Sequence, residues 1–414
     1  MKTENILTFI SRFILGVVFI FSGFVKGVDP LGSTYKFTDY FNAFNLGFLE
    51  PFALVLAIVL AAVEFIIGVS LIFRITYRLA VWALLVFMSF FTLLTLVLAL
   101  TNPVSDCGCF GDAIILTNWQ TFFKNLILIP FMLHIFWFRA SGKDVFNPPF
   151  SWLAIVVFTL VFLGLEIHAY RHLPMLDFRP YSVGTHIPTK MSIPEGAMQD
   201  EFKTFLYYEK DGMVEEFTED DFPWQDTTWT YVDSKHILVK KGYEPPIHDF
   251  TIVDEMDNDI TGDMLADEGY SFLLVATHIE SADREALSYA SRLAAWCGQA
   301  GHAFYLTTAS GGKEVQEVRQ SLDPAFGFHT TDEITLKTIV RANPGLLLLR
   351  EGTILAKWHY RDFPELEEFE DILPSLMTAQ RITSEKRIIG FFVVLFLLLA
   401  AGIHLFMPRG KKDK

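Results

Sequence analysis

Six stretches of this 414-residue chain are apolar for long enough to cross a lipid hydrocarbon core, which takes about 20 helical residues. They run from Ile6 to Phe24, Phe52 to Phe73, Leu79 to Leu100, Trp119 to Phe138, Trp152 to Ile167 and Ile388 to Phe406. Lipid cannot satisfy backbone polar groups, so stretches of this kind cross it as helices. The first lies where a signal peptide would, but it lacks a small-residue cleavage site and is longer than a signal peptide's apolar core. It reads as a retained span. Charge is segregated just as sharply. Residues 170–387 hold 20 Lys and Arg against 38 Asp and Glu, a balance of −18, while the rest of the chain carries +3 and the whole −15. The expected architecture is an α-helical membrane bundle with one large acidic domain outside the bilayer, and that acidity argues against nucleic-acid binding.

Orientation follows from Lys and Arg in the short loops. If six helices alternate, Lys2, Arg74, Arg78, Arg139, Lys143, Arg409, Lys411, Lys412 and Lys414 share one side, and Lys26 and Lys36 face the other. The basic side is the cytoplasm, so both termini lie inside and the acidic domain outside, together with the loop at Asp106–Gly111. Arg381, Lys386 and Arg387 run against this pattern and are outnumbered.

The first four spans form an up-down bundle over residues 1–145. Gly16, Gly23, Ala61, Ala62 and Gly68 are the residues that let such helices approach closely. Glu64 sits well inside the second span, where a carboxylate is costly unless paired or protonated. Arg12 and Lys26 are the cations within reach of it; each is also long enough to snorkel toward its own membrane face. A structural ion pair and a proton- or quinone-handling role are both open for Glu64.

The strongest chemical signal is Asp106-Cys107-Gly108-Cys109-Phe110-Gly111-Asp112, in an outer loop that holds two of the three cysteines of the chain. A disulfide closing so small a ring is strained, and strained, exposed disulfides are the labile, oxidising kind. It would also remove little chain entropy, which argues against a staple. Thiol–disulfide exchange, an inert disulfide and a metal site all remain open. Asp106 and Asp112 are poor companions for thiolates at a metal, and no metal is expected.

Arg12-Phe13-Ile14-Leu15-Gly16 through Ser22-Gly23-Phe24-Val25-Lys26 resembles the opening helix of the DoxX/MauE superfamily of small four-helix membrane proteins. Glu64 with Gly68 resembles the start of that family's second-helix pattern, and Cys107-Gly108-Cys109-Phe110-Gly111 resembles the MauE branch. The likeness covers about residues 6–140. It implies an inner-membrane accessory in redox maturation of a periplasmic protein, with Cys107 and Cys109 as the exchanging pair; no cofactor is evident, a quinone is one candidate, and the resemblance does not name the electron acceptor. The added outer domain resembles the arrangement of DoxX-family proteins of Bacteroides-like bacteria.

After a fifth span (150–170) the acidic part begins with a β-rich segment, 171–245. Phe205–Tyr208 and Met213–Phe217 pair as a hairpin, and Thr228–Val232 and His236–Val239 are two further strands. From 246 to 380 the pattern is strand Phe250–Val253, strand Phe272–Ala276, helix Ala282–Ala300, strand Ala303–Leu306, helix Val315–Leu322, a hairpin of Leu346–Leu349 with Ile354–Trp358, and helix Pro364–Met377. This order resembles the thioredoxin fold of membrane-tethered, TlpA-like proteins. Where that family carries its Cys-x-x-Cys, this chain has Ile279 and Ala282, and Pro344 matches the family's cis-proline. The domain therefore lacks a dithiol of its own. Cys297 reads as a buried core thiol and His278 as a surface histidine. Asp254, Asp257, Asp259 and Asp263 fit no calcium loop.

Two functions follow. One is a redox accessory, thiol/disulfide or quinone-linked, assisting a periplasmic partner. The alternative is a non-enzymatic membrane scaffold whose outer domain docks a partner protein. Substrate, oligomeric state and any contact between the outer domain and the cysteine loop are not readable from the residues. The last span occupies 388–407.

Overall fold

The computed structural model describes residues 6–139, 144–219 and 221–376. The expected sixth span and its flanking charges lie outside them. The helices run α1 (Ile6–Val28), α2 (Pro30–Ala43), α3 (Ala53–Phe73), α4 (Tyr77–Thr101), α5 (Asn118–Trp137) and α6 (Pro148–Arg171). α1, α3, α4 and α5 form the bundle, α6 packs on α1 and α3, and α2 folds back against α3.

Among the described residues, Ile6–Val28, Gly47–Phe73, Tyr77–Thr101 and Pro148–Arg171 are long and apolar enough to cross a membrane. The expected fifth span is thus a full 24-residue helix. α5 is not in this set: its first two turns carry Gln120, Lys124 and Asn125, which dilute its apolarity. The unexpected element is α2, too polar to stand out as a span. Asp29 caps it by accepting a hydrogen bond from Gly32 N at 2.9 Å, and Pro30 occupies its first turn.

The small residues act as expected. A Cβ on Gly23 would sit 2.6 Å from Phe65 N, and one on Gly68 2.6 Å from Ile20 N, so the backbones of α1 and α3 touch directly. Gly164 in α6 has nothing within 4 Å of such a Cβ. Gly23→Ala is therefore expected to cost about 1–3 kcal/mol by forcing helices apart, while Gly164→Ala is neutral or slightly stabilising. Thermal unfolding of the two variants in detergent measures the contrast.

Beyond α6 come α7 (Ile187–Met191) and an antiparallel sheet of β1 (Glu201–Lys210), β2 (Met213–Thr218) and β3 (Thr230–Lys240) in the order β2-β1-β3. The hairpin forms as expected. The two further strands are one: Asp233, Ser234 and Lys235 pair with Tyr207, Leu206 and Phe205 without a break, and a register shift at Tyr207/Tyr208 absorbs the irregularity. The remaining elements are α8 (Thr261–Ala266), β4 (Ser271–Val275), α9 (Arg284–Ala300), β5 (Ala303–Thr308), α10 (Gly312–Leu322), β6 (Phe328–Thr330), α11 (Glu333–Ile339), β7 (Gly345–Arg350), β8 (Thr353–His359) and α12 (Glu368–Leu376). Their sheet has the order β6-β5-β4-β7-β8, with β4, β5 and β6 parallel and β7 and β8 antiparallel. Phe250–Val253 is not a strand. Phe250 and Ile252 are buried, but Ile252 N donates to Thr261 Oγ1 and Val253 forms only isolated bridges.

Both faces of this sheet are covered, which explains its uninterrupted apolar strands. Phe272, Leu274, Leu346 and Leu348 face a core with α9 and Phe369, and Leu273, Val275, Leu347 and Leu349 face a second with Ile187, Phe250 and Ile339. Cys297 is fully buried in the first, and burial pushes its thiol up to about 12. His359, 3% exposed at the end of β8, is held down at about 4 by burial and by Arg361 nearby. The unfolded chain takes up that proton near pH 6.5. Stability should then fall by up to about 3 kcal/mol as pH drops from 6.5 to 4, and His359→Gln should remove that part of the loss in urea melts at the two pH values.

Candidate functional site: a dithiol loop over an apolar cavity

The loop between α4 and α5 folds back over the end of the bundle. Asp106 bridges Thr117 across its neck, and Asp106 Oδ1 accepts from Gly108 N at 2.9 Å. Gly108 has φ +64° and packs under Lys36, and Gly111 has φ +50°; both are backbone states that favour glycine. The turn at Gly108 sets the two sulfurs 2.9 Å apart. α2 supplies the other clasps: Lys36 Nζ meets Asp106 Oδ2 at 2.6 Å, and Tyr40 Oη donates to the Cys107 carbonyl at 2.6 Å.

Beneath the loop, Lys26 rather than Arg12 is the ion-pair partner of Glu64. Its Nζ lies 2.7 Å from Glu64 Oε2 and 2.9 Å from Ser22 Oγ, and Ser22 Oγ donates to the Cys109 carbonyl at 2.7 Å. Lys26 therefore does not snorkel; both it and Glu64 are buried. Arg12 is used elsewhere, donating to the carbonyls of Leu71 and Ile72 at the end of α3. Lys124 stands over the Phe110 ring at 4.4 Å.

The two thiols are driven apart in acidity. The contact with Cys109 and burial push Cys107 up. The contact with Cys107 pulls Cys109 down against the cost of burial, and the ammonium groups of Lys124 and Lys26 pull the same way. A thiol drawn down beside lysines is the more readily ionised of a pair, and here that thiol is Cys109.

Both cysteines line a cavity of about 270 Å³ between α1, α2, α3, α4 and α5. Its walls include Phe19, Phe37, Phe41, Phe87, Phe91 and Leu128, and its polar lining includes Lys26, Lys36, Tyr40, Glu64, Lys124 and Asn125. An engineered apolar cavity of roughly 150 Å³ already holds a benzene ring, so this one has room for a flat, substituted ring.

Residues 4–138 match the family model described as methylamine utilisation protein MauE. The amino-terminal third is MauE-like. Residues 202–241, which span β1, β2 and β3, match a domain of unknown function (DUF8463). No curated protein and no solved structure matches the chain. With its apolar helices, the MauE-like bundle marks a membrane protein.

The α/β domain reaches the MauE-like bundle at the cysteine loop. Arg341, just before β7, sets Nε 2.9 Å from Asp29 Oδ2 and Nη2 3.0 Å from Asp112 Oδ2. On the domain, Ile279 and Ala282 are buried, and the peptide bond before Pro344 is cis. Asn343 Nδ2 donates to the His278 carbonyl at 2.8 Å, which brings the 278–283 and 343–344 segments together. His278 Nε2 lies 3.2 Å from Glu333. Asp254 accepts from the backbone of Met256 and Asn258, closing a turn, and among the described residues no cluster of three metal-ligating side chains occurs.

Sequence reasoning missed Ser22, Lys36, Tyr40, Asp29 and Arg341 as neighbours of the site. The Asp29-Pro30 helix start was the available signal for the three that α2 brings. Removing one ion-pair partner should be worse than removing both: Lys26→Met is expected to cost about 3–5 kcal/mol by leaving Glu64 buried alone, and Lys26→Met/Glu64→Leu to recover much of it. Denaturation of both variants in detergent reads the difference.

Proposed function

We propose that this protein is an inner-membrane thiol–disulfide accessory that oxidises a periplasmic partner through Cys107 and Cys109 and passes the electrons to a quinone. The observation that carries the reading is the pair of sulfurs 2.9 Å apart at the wall of an aromatic cavity, with lysines beside Cys109. In the exchange half, the partner's dithiol becomes a disulfide and the Cys107–Cys109 disulfide becomes two thiols, taking up two electrons and two protons. In the return half, the two thiols lose those electrons and protons to the quinone, which becomes the quinol. Cys109 is the sulfur facing Lys26 and Lys124, whose positive charge stabilises its thiolate. The Lys26–Glu64 pair lines the same cavity and can exchange a proton there.

The α/β domain is read as thioredoxin-like. The order β5-β4-β7-β8, with α9 after β4 and Pro344 leading into β7, supports this. Its missing cysteines, replaced by buried Ile279 and Ala282, leave the exchange to the loop and give the domain a docking role. That last observation also favours the scaffold reading, in which the loop cysteines never exchange.

Thiol labelling in native membranes separates the two. Mixed oxidised and reduced forms of the pair, together with a mixed disulfide to a second protein trapped in Cys107→Ser or Cys109→Ser, are expected. A pair whose state never changes, with both variants unaltered in partner capture, sinks the exchange reading and leaves the scaffold.

A further inference from the structure

We infer that the α/β domain is a latch on the dithiol, closed by Arg341, and that the water-facing side of the loop opens only when Arg341 leaves Asp29 and Asp112. This regulation rests on the exchange reading, because it concerns access to the same two sulfurs.

Arg341 is 6% exposed and bridges carboxylates from two different parts of the bundle. Asp29 is the N-cap of α2, and Asp112 lies three residues past Cys109. One guanidinium thus ties the start of the lid helix to the far end of the cysteine loop. The Asp29–Arg341 pair sits directly against α2: a Cβ on Gly32 would stand 2.5 Å from Asp29 Oδ2 and 2.8 Å from Arg341 Nη2, so a larger residue there would push on both partners. The Tyr35 ring, one turn along α2, lies 5.2 Å from the Arg341 guanidinium and 4.8 Å from Lys337 Nζ. α2 in turn holds the loop through Lys36 and Tyr40. The chain of contacts is therefore Arg341 to α2 to the backbone that carries Cys107.

The geometry also makes the contact separable. Beside Arg341 the two parts do not close-pack: a cleft of about 440 Å³ runs between Thr34, Tyr35 and Thr38 of α2 and His278, Asn343 and Tyr360 of the domain. Interfaces held by a few ion pairs around a wet cleft move, unlike broad apolar ones. Removing Arg341 leaves Asp29 and Asp112 facing each other across the vacated site, and their repulsion favours the open arrangement.

The test is the rate at which a charged, membrane-impermeant maleimide labels the reduced full-length protein in lipid nanodiscs, read site by site by mass spectrometry. Arg341→Gln and, separately, Asp29→Asn/Asp112→Asn are each expected to raise labelling of Cys109 at least tenfold over wild type. Cys297, buried in the domain core, reports folding and is expected to stay unlabelled in both. Wild-type rates in both variants with Cys297 protected would overturn the latch. If Arg341→Gln exposes Cys297, that variant has lost the domain fold and the aspartate pair decides, since it leaves the domain's sequence intact. Trapping of the mixed disulfide is read independently. Fast labelling with no trapped partner refutes the exchange reading and keeps the latch; a trapped partner with unchanged labelling does the reverse.

Discussion

A buried ammonium and a buried carboxylate 2.7 Å apart, Lys26 and Glu64, tie α1 to α3 at the base of the cysteine loop. Neither charge survives alone in a low-dielectric bundle at small cost, so each fixes the other. The consequences spread upward. Lys26 also holds Ser22, and Ser22 holds the Cys109 carbonyl. Direct backbone contact at Gly23 and Gly68 brings the two helices close enough for the pair to form. The acidity of Cys109 owes most to its contact with Cys107, then to Lys124 and Lys26, while Glu64 opposes them. Loss of the Lys26–Glu64 pair would therefore act on the packing of α1 against α3 and on the support of the Cys109 carbonyl together.

The second level of organisation is the join between bundle and domain. The end of α6 is tied to the domain by His172 and Asp362 at 2.7 Å, and the cysteine loop by Arg341. Between these two points lies the cleft over α2. A domain without a dithiol of its own still has a direct mechanical route to the loop cysteines, through the helix that covers them. The buried cluster of Arg179, Asp177 and Lys357 stiffens this side of the domain: the two cations, against the opposing effect of burial, hold Asp177 down at about 2. Arg179 also reaches the carbonyl of Thr338, next to the segment that carries Arg341.

The sequence made legible whatever depends on runs and periods. Long apolar stretches gave the helices of the bundle, and unbroken apolar strands such as Phe272–Val275 and Leu346–Leu349 gave a sheet covered on both faces. The Cys-Gly-Cys spacing marked the loop, and Gly108 has the positive φ expected of it. What stayed hidden depends on contacts remote in sequence. Glu64 had two cations in range, and only the packing of α1 on α3 selects Lys26. Arg341 and Asp29 are 312 residues apart and nothing local announces their meeting. α2 escaped because an amphipathic helix of mixed residues has neither the length of a span nor the alternation of a strand. The false strand at Phe250–Val253 has the apolar composition of one, but a hydroxyl, Thr261 Oγ1, takes the N–H that a ladder would need.

The sheet of β1, β2 and β3 carries one more consequence. Both of its outer strands lie open, since among the described residues no further strand pairs with β2 or β3. Open edges invite a neighbouring molecule to add a strand. Here β2 bears Glu215 and Glu216 side by side, and Asp233 and Lys235 sit mid-way along β3. A second copy approaching with its own β2 edge would set carboxylate against carboxylate. The negative charge that looked like a bulk property of the acidic half disfavours, at these positions of β2, the pairing of two like edges.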